Sequence, residues 1–256
     1  MNKLVTNYTS IACIKGMLSK RYKPTEDWSG FWKNSKHFVT FDSTFNSINI
    51  KKISYSYILE KQIKNIEKYK SCFRLTLLHS IFNDEFFELK NKKFREIRET
   101  KNKYNKICYI STKIPKLIEI NNLLNYWDEV SGKKYGWTRH SGIDRNFFDK
   151  YYKEEEFIGL FFYIDQKLVG YSIMSKKYKN LNNNYFFDYI IRKNDIKYRN
   201  LTLYIDYKIF EYIYNNYVNN FIVNFGGSSG NLLKYKMKFP IYNIQPIYFI
   251  TKENNV

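Results

Sequence analysis

From Pro115 to Ile250 the hydrophobic period switches repeatedly between that of a helix and that of a strand. A chain patterned this way must build a sheet and lay helices against it. Pro115–Ser131 predicts a helix, with Leu117, Ile118, Ile120, Leu123, Leu124 and Trp127 as its apolar side, and Asp144–Glu154 predicts a second. Ile158–Ile164 and Leu168–Ser175, joined across Asp165-Gln166-Lys167, predict a hairpin. Asn184–Ile191 then reads as a strand, Leu201–Tyr217 as a helix and Phe221–Phe225 as a strand. A Gly226–Gly230 loop, a short helix at Leu232–Met237 and a strand at Pro246–Ile250 complete the series. Upstream, His37–Phe41, Ser47–Ile53, Phe73–Ile81 and Cys108–Ser111 suit strands. Tyr55–Lys70 suits a helix, and Asp84–Lys106 one long basic helix.

Composition narrows the class. With 44% of 256 residues hydrophobic and 20% aromatic, a large core is available without a disulfide or metal staple. The longest apolar run, around Ile158–Ile164, falls far short of the roughly 20 residues of a membrane helix. Met1–Asn7 lacks the apolar stretch of a signal peptide, so a cytoplasmic protein with no transmembrane segment is expected. Cys13, Cys72 and Cys108, like His37, His79 and His140, are scattered. That spacing suits no zinc site, and the thiols are expected to be buried and inert.

The formal charge is +19, with 43 Lys+Arg against 24 Asp+Glu. Residues 1–110 hold 22 basic and 10 acidic side chains, so the excess is concentrated early. Such a field favours polyanions, and tRNA or another nucleic acid is the expected partner. The stretch Lys90–Lys106 places Lys92, Lys93, Arg95, Arg98, Lys101 and Lys103 at helical spacing, a pattern suited to phosphate contacts. Trp137 with Arg139 and His140, in the loop that follows the Pro115–Ser131 helix, suits stacking on a base or sugar.

The last 60 residues carry a more specific signal. Tyr198-Arg199-Asn200-Leu201, then Phe225-Gly226-Gly227-Ser228, then Tyr235-Lys236 before Phe239, resemble the C-terminal lobe of FemABX-type aminoacyltransferases. Tyr235 stands where that family usually has Phe, and Pro240 where Gly is common. Leu89–Arg98 is similar to the family's basic helix, and the likeness spans roughly residues 84–250. The element order is also that of a GNAT-type acyltransferase domain. The resemblance therefore implies an α/β (α+β) chain: a GNAT-like mixed sheet flanked by helices over residues 107–256. Residues 1–106 would form a reduced N-terminal GNAT-like lobe ending in the basic helix. The implied reaction is transfer of an aminoacyl group from aminoacyl-tRNA to an amine acceptor, such as a cell-wall precursor. The positive charge also admits a modified nucleic-acid base as acceptor.

Candidate residues follow. The resemblance gives Lys236 the role of stabilising the oxyanion or the departing ribose oxygen, although Lys234 and Lys238 make it one of three alternating lysines. Gly226, Gly227, Ser228 and Ser229 suit backbone and hydroxyl contacts with a donor, or simply a strand-to-helix connection with Ser229 as N-cap. Tyr235 lies in the same segment as Lys236. Arg199 opens a helix where the dipole disfavours a cation, which suits an anion ligand, with Tyr198 beside it for stacking or core packing. Asp188, in an apolar strand, suits a proton acceptor or an outward-facing polar position. No glycine occurs between Gly170 and Gly226, so the turn Lys197–Thr202 poorly suits the diphosphate of acetyl-CoA. No tightly bound cofactor or metal is expected. Two alternatives stay open: an N-acyltransferase using acetyl-CoA, another acyl-CoA or a carrier, and a non-catalytic nucleic-acid-binding protein.

Overall fold

The computed structural model describes residues 23–24, 30–34, 37–40, 51–59, 71–135, 141–150, 157–175, 178–179 and 185–253. In chain order the strands are β1 (Lys23–Pro24), β2 (Gly30–Asn34), β3 (His37–Thr40), β4 (Lys52–Leu59), β5 (Ser71–Phe82), β6 (Tyr109–Ser111), β7 (Phe157–Ile164), β8 (Lys167–Ser175), β9 (Tyr178–Lys179), β10 (Tyr185–Asn194), β11 (Phe221–Ser228) and β12 (Ile241–Glu253). The helices are α1 (Asp84–Glu88), α2 (Arg95–Tyr104), α3 (Leu117–Tyr135), α4 (Ser141–Lys150), α5 (Leu201–Asn216) and α6 (Gly230–Lys236).

Two units divide the chain, residues 1–80 with 224–256 and residues 81–223. This differs from a division after residue 106. The basic helix α2 lies wholly in the second unit, while the C-terminal segment returns to the first because β12 pairs with both β4 and β5.

The first unit's strands run in the order β1-β2-β3-β4-β12-β5, with β3 and β4 parallel. Residues 52–59 form a strand rather than the start of a Tyr55–Lys70 helix; the remainder of that expected helix lies outside the described residues. Ile53-Ser54-Tyr55-Ser56-Tyr57 alternates at the period of a strand, and pairing with β12 satisfies its backbone. The C-terminal strand begins at Ile241, five residues before Pro246. Ile247 is fully buried and packs with Leu77 and Leu75.

The second unit's strands run β11-β10-β8-β7-β6, β11 belonging to it only through Val223, with β9 on β10 and the expected hairpin as β7 and β8. Helix α5 connects β10 to its neighbour β11. Nine of its sixteen residues are buried, from Leu201 to Ile213, and they leave little polar face. A helix of that composition must be enclosed. On its flank lies α2, whose buried Ile97, Thr100 and Tyr104 recur at helical spacing. Helices α3 and α4 cover the sheet through Ile120, Leu123, Leu124, Phe147 and Phe148, which meet Phe161, Tyr171 and Ile173. Each such buried side chain contributes about 1.5–3 kcal/mol relative to exposure. Two residues expected on this apolar side, Leu117 and Ile118, are instead exposed.

The long basic helix expected over Asp84–Lys106 is broken. Leu89 adopts φ 52° after α1, and a 3-10 turn at Lys92–Phe94 precedes α2. Asn83 and Asn91 cap the two starts, their side chains accepting from the Phe86 and Lys93 N–H groups at 3.3 and 3.0 Å. Local side-chain caps compete with a continuous helix wherever Asn falls at such positions.

Candidate active site

Lys236 ends α6, the short helix that follows β11. Of the three alternating lysines, Lys234 is exposed and Lys238 half-buried, whereas Lys236 is buried at 8% exposure. Its Nζ donates to the Phe225 carbonyl and lies 5.9 Å from the Phe225 ring centroid. Phe225 stacks on Phe239 at 5.4 Å, and Phe239 meets Tyr235 edge-on at 6.1 Å. Aromatic rings thus wall in an ammonium that a carbonyl holds in place. Burying a cation costs several kcal/mol unless it is hydrogen-bonded, so a fold that merely needed a lysine here would leave it in water.

The glycines upstream serve a purpose other than the expected loop. β11 continues through Gly226, Gly227 and Ser228. Gly226 takes φ 71° and donates its N–H to Asn224 Oδ1 at 3.0 Å, which turns the strand end. A Cβ on Gly227 would stand 2.8 Å from Ile247 Cδ1 and 3.0 Å from Leu75 Cδ1. Its missing side chain therefore admits neighbouring side chains. Ser228 is buried, and its hydroxyl makes no hydrogen bond among the described residues. Ser229 occupies the N-cap of α6 without a side-chain cap bond, and it is exposed.

In the second unit, the turn that enters α5 spends its donors internally. Lys197 N–H donates to Asp195 Oδ1 at 3.1 Å and Tyr198 N–H to Asp195 O at 3.4 Å. Leu201 N–H donates to Tyr198 O, and Leu203 and Tyr204 N–H to Asn200 O. Asn200 supplies the left-handed residue, φ 63°, that a glycine would otherwise supply. Asp195 is itself buried at the helix entrance, its carboxylate 3.6 Å from Lys197 Nζ. Tyr198 is half-buried beneath the Lys197 ammonium, 5.0 Å from the ring centroid, so it packs locally. Arg199 is exposed, and its carbonyl accepts from Tyr104 Oη at 2.7 Å. Asp188 is fully buried on β10, its N–H donating to Ser175 Oγ at 2.8 Å. The alternative of an outward-facing polar position is thereby overturned.

Half of the basic candidates are engaged within their own unit. Arg95 pairs with Glu99 at 2.7 Å, and Arg98 donates to the Leu89 and Asn91 carbonyls, closing the break before α2. Lys101 reaches α5, donating to Tyr207 Oη at 2.8 Å and pairing with Glu211 at 3.1 Å. Burial alone would raise the Glu211 carboxyl, but hydrogen bonds from Lys208, Tyr207 and Lys101 outweigh it and hold the group below its ordinary value. Lys92, Lys93 and Lys103 remain exposed. Trp137, Arg139 and His140 lie outside the described residues.

Two buried polar clusters went unread in the sequence. Tyr189 on β10 accepts from Ser172 Oγ at 2.9 Å and donates to Asp206 of α5, which also pairs with Arg192. Burial, with Asp206 next, holds the Tyr189 phenol well above its ordinary value. In the second cluster Asp144 pairs with Lys193 at 3.1 Å, and Lys193 lies over Trp127 at 4.4 Å. Burial pushes the Asp144 carboxyl up despite Lys193. Asp206 had a signal: it is the one acid in the apolar run Leu203-Tyr204-Ile205-Asp206-Tyr207. Among the described residues no group of His, Cys, Asp and Glu could hold a metal.

No family model and no curated protein sequence matches this chain. Solved structures do. L-PGS from Bacillus licheniformis matches over 94% of this chain and 86% of its own, with a TM-score of 0.57 at 12% identity. The C-terminal domain of a putative lysylphosphatidylglycerol synthetase from Agrobacterium fabrum matches over 92% and 84%, at 0.51 and 10%. FemX matches over 79% and 72%, at 0.53 and 8%. The fold is GNAT-like, shared with these three structures. At these identities the likeness is one of architecture, and it agrees with the fold implied by the C-terminal motifs. In this GNAT-like fold the connection from β10 through α5 to β11 leads directly into the segment that carries Lys236.

Proposed function

We propose that this protein is an acyltransferase of the aminoacyl type, moving an aminoacyl group from aminoacyl-tRNA to an amine. The observation that carries the reading is the buried Lys236 ammonium, fixed on the Phe225 carbonyl within the motif that resembles the FemABX-type family. The amine nitrogen attacks the ester carbonyl carbon, and its electron pair forms the new C–N bond. The carbonyl oxygen becomes an oxyanion beside which Lys236 supplies positive charge. On collapse the C–O bond to the ribose breaks, and the proton lost by the amine ends on the ribose oxygen. A preorganised cation at such a site is worth about 10²–10³ in rate.

The entrance of α5 supports the choice of donor. A CoA diphosphate seeks open backbone N–H groups at a helix start. Here five N–H groups of residues 197–204 already have internal acceptors, and the Asp195 carboxylate already takes up the Lys197 N–H and its ammonium. Both features support an ester donor other than acyl-CoA. They also leave Tyr198 and Arg199 with packing and surface positions in place of a diphosphate grip.

The test is label transfer from aminoacyl-tRNA, and separately from acetyl-CoA, to amine acceptors in a cell extract. Lys236→Met keeps the aliphatic bulk while removing the charge. It is expected to lower transfer from aminoacyl-tRNA by about 10²–10³. Lys234→Met and Lys238→Met are expected to leave it unchanged. Undiminished transfer by Lys236→Met would remove the assigned role, and transfer from acetyl-CoA alone would overturn the donor.

A further inference from the structure

Five of the eleven large apolar residues that are exposed among the described residues fall between positions 107 and 118: Ile107, Tyr109, Ile114, Leu117 and Ile118, at 46–69% exposure. They form one surface. Ile107, Tyr109 and Ile114 line a groove of about 560 Å³ with Pro115 and Tyr163, and Leu117 and Ile118 follow in the first turn of α3. Tyr109 and Tyr163 sit 6.1 Å apart across β6 and β7, and β6 is the last strand of its sheet. Packing within the unit leaves these side chains in water: the buried face of α3 begins only at Ile120.

The chain segment that leads into this surface is one-sided in charge. Between Thr100 and Ile118 there are five lysines and no acid. Lys101 is paired with Glu211, but Lys103, Lys106, Lys113 and Lys116 are exposed, and Lys113 and Lys116 line the groove itself. Glu119 and Asp165 lie at the same groove; the Glu119 carboxylate is taken up by the Lys116 N–H at 3.0 Å. Aliphatic tips, a tyrosine and a lysine rim make up the composition that suits the boundary between lipid headgroups and acyl chains. A protein partner of ordinary composition would supply apolar contact but no sheet of negative charge to match four lysines.

We propose that the surface formed by β6 and the start of α3 docks this protein on an anionic lipid bilayer, with Ile107, Tyr109, Ile114, Leu117 and Ile118 entering the interface and the lysines meeting the headgroups. Attachment is peripheral, for no helix among the described residues is long and apolar enough to cross a membrane. The docking rests on surface chemistry alone and stands apart from the reaction proposed for Lys236.

The experiment is sedimentation of the full chain with sucrose-loaded vesicles of phosphatidylcholine alone, or with about 30% phosphatidylserine or phosphatidylglycerol. The protein is expected to partition onto both anionic vesicles and to leave phosphatidylcholine largely unbound. Added salt weakens the partition. The double variant Lys113→Ala/Lys116→Ala is expected to lose about fivefold in partition for each lysine. Ile114→Asp/Ile118→Asp is expected to lose at least about tenfold, since binding scales with the apolar area inserted. Both pairs are exposed, and an unchanged melting curve shows that they fold. Four results overturn the proposal: no partition by the parent protein, equal partition by parent and variants, binding to phosphatidylglycerol alone, or self-association of the parent that the same variants abolish.

Discussion

His79 offers a direct measure of how far the first unit's sheet keeps water out. It lies on β5 at 1% exposure, opposite Asn243 of β12, and burial lowers its imidazole from 6.5 to about 4. The folded protein therefore holds His79 neutral where the unfolded chain would take up a proton. Because the folded value is the lower one, the contribution to stability is intact above pH 6.5 and is lost as pH falls toward 4. With these two values the loss is about 2 kcal/mol at pH 5 and about 3 kcal/mol at pH 4. The assay is urea unfolding from pH 7.5 down to 4, comparing the parent with His79→Gln, which keeps a polar side chain of similar size and does not titrate. Carboxylates titrate in both proteins, so the difference between the two curves isolates the imidazole. The gap in stability should close by those amounts on acidification. A gap that stays constant with pH would show that the imidazole titrates alike in both states, and would refute the burial of His79 on β5.

Gly227→Ala is expected to cost about 1–3 kcal/mol in the same urea assay, because the new methyl meets Ile247 and Leu75 inside normal contact distance; a neutral result would mean that the Ile247 and Leu75 side chains shift freely and would refute the close packing at this strand. Asp206→Asn strips the buried partner of Arg192 and is expected to cost about 3–5 kcal/mol, measured by thermal or urea unfolding. Cys108 is held up to about 11 by burial. In a Cys13→Ser/Cys72→Ser background, about one Cys108 thiol in a thousand is then ionised at pH 8, and alkylation should rise about tenfold per pH unit up to that value; rapid labelling at pH 8 would contradict the burial.

The central sheet and helix of the second unit were legible because they answer to burial alone. The hairpin of β7 and β8 and the enclosed helix α5 each show a period that only one packing satisfies. The first unit was harder. Helix and strand compete over Lys52–Leu59, and pairing with β12, some 190 residues later, decides for the strand. No local window contains that information. Pro246 had the same effect at the other end: it reads as the start of a strand, yet the ladder with β5 runs from Ser80 opposite Ile241 and through it. Leu117 and Ile118 failed in the opposite sense. Their apolar character fits the core-facing side of α3, but that helix is buried against the core only from Ile120 onward, and its first residues stay in water.

Among site residues, the sequence could nominate chemistry without saying which groups were already engaged. Lys234, Lys236 and Lys238 are equivalent as letters, and only the register of a seven-residue helix decides which one is buried. The basic stretch shows the reverse. Eight cations between Lys90 and Lys106 look like a phosphate-binding face, yet Arg98 is consumed in mending the break at Leu89 and Lys101 in joining α2 to α5. Charge density is therefore a poor guide to a polyanion site in a lysine-rich chain: what matters is the charge left over after the fold has used its share. By that measure the unspent lysines include Lys92, Lys93, Lys103 and Lys106 of the basic stretch and, further along, Lys113 and Lys116, which border exposed apolar side chains as well as Glu119 and Asp165.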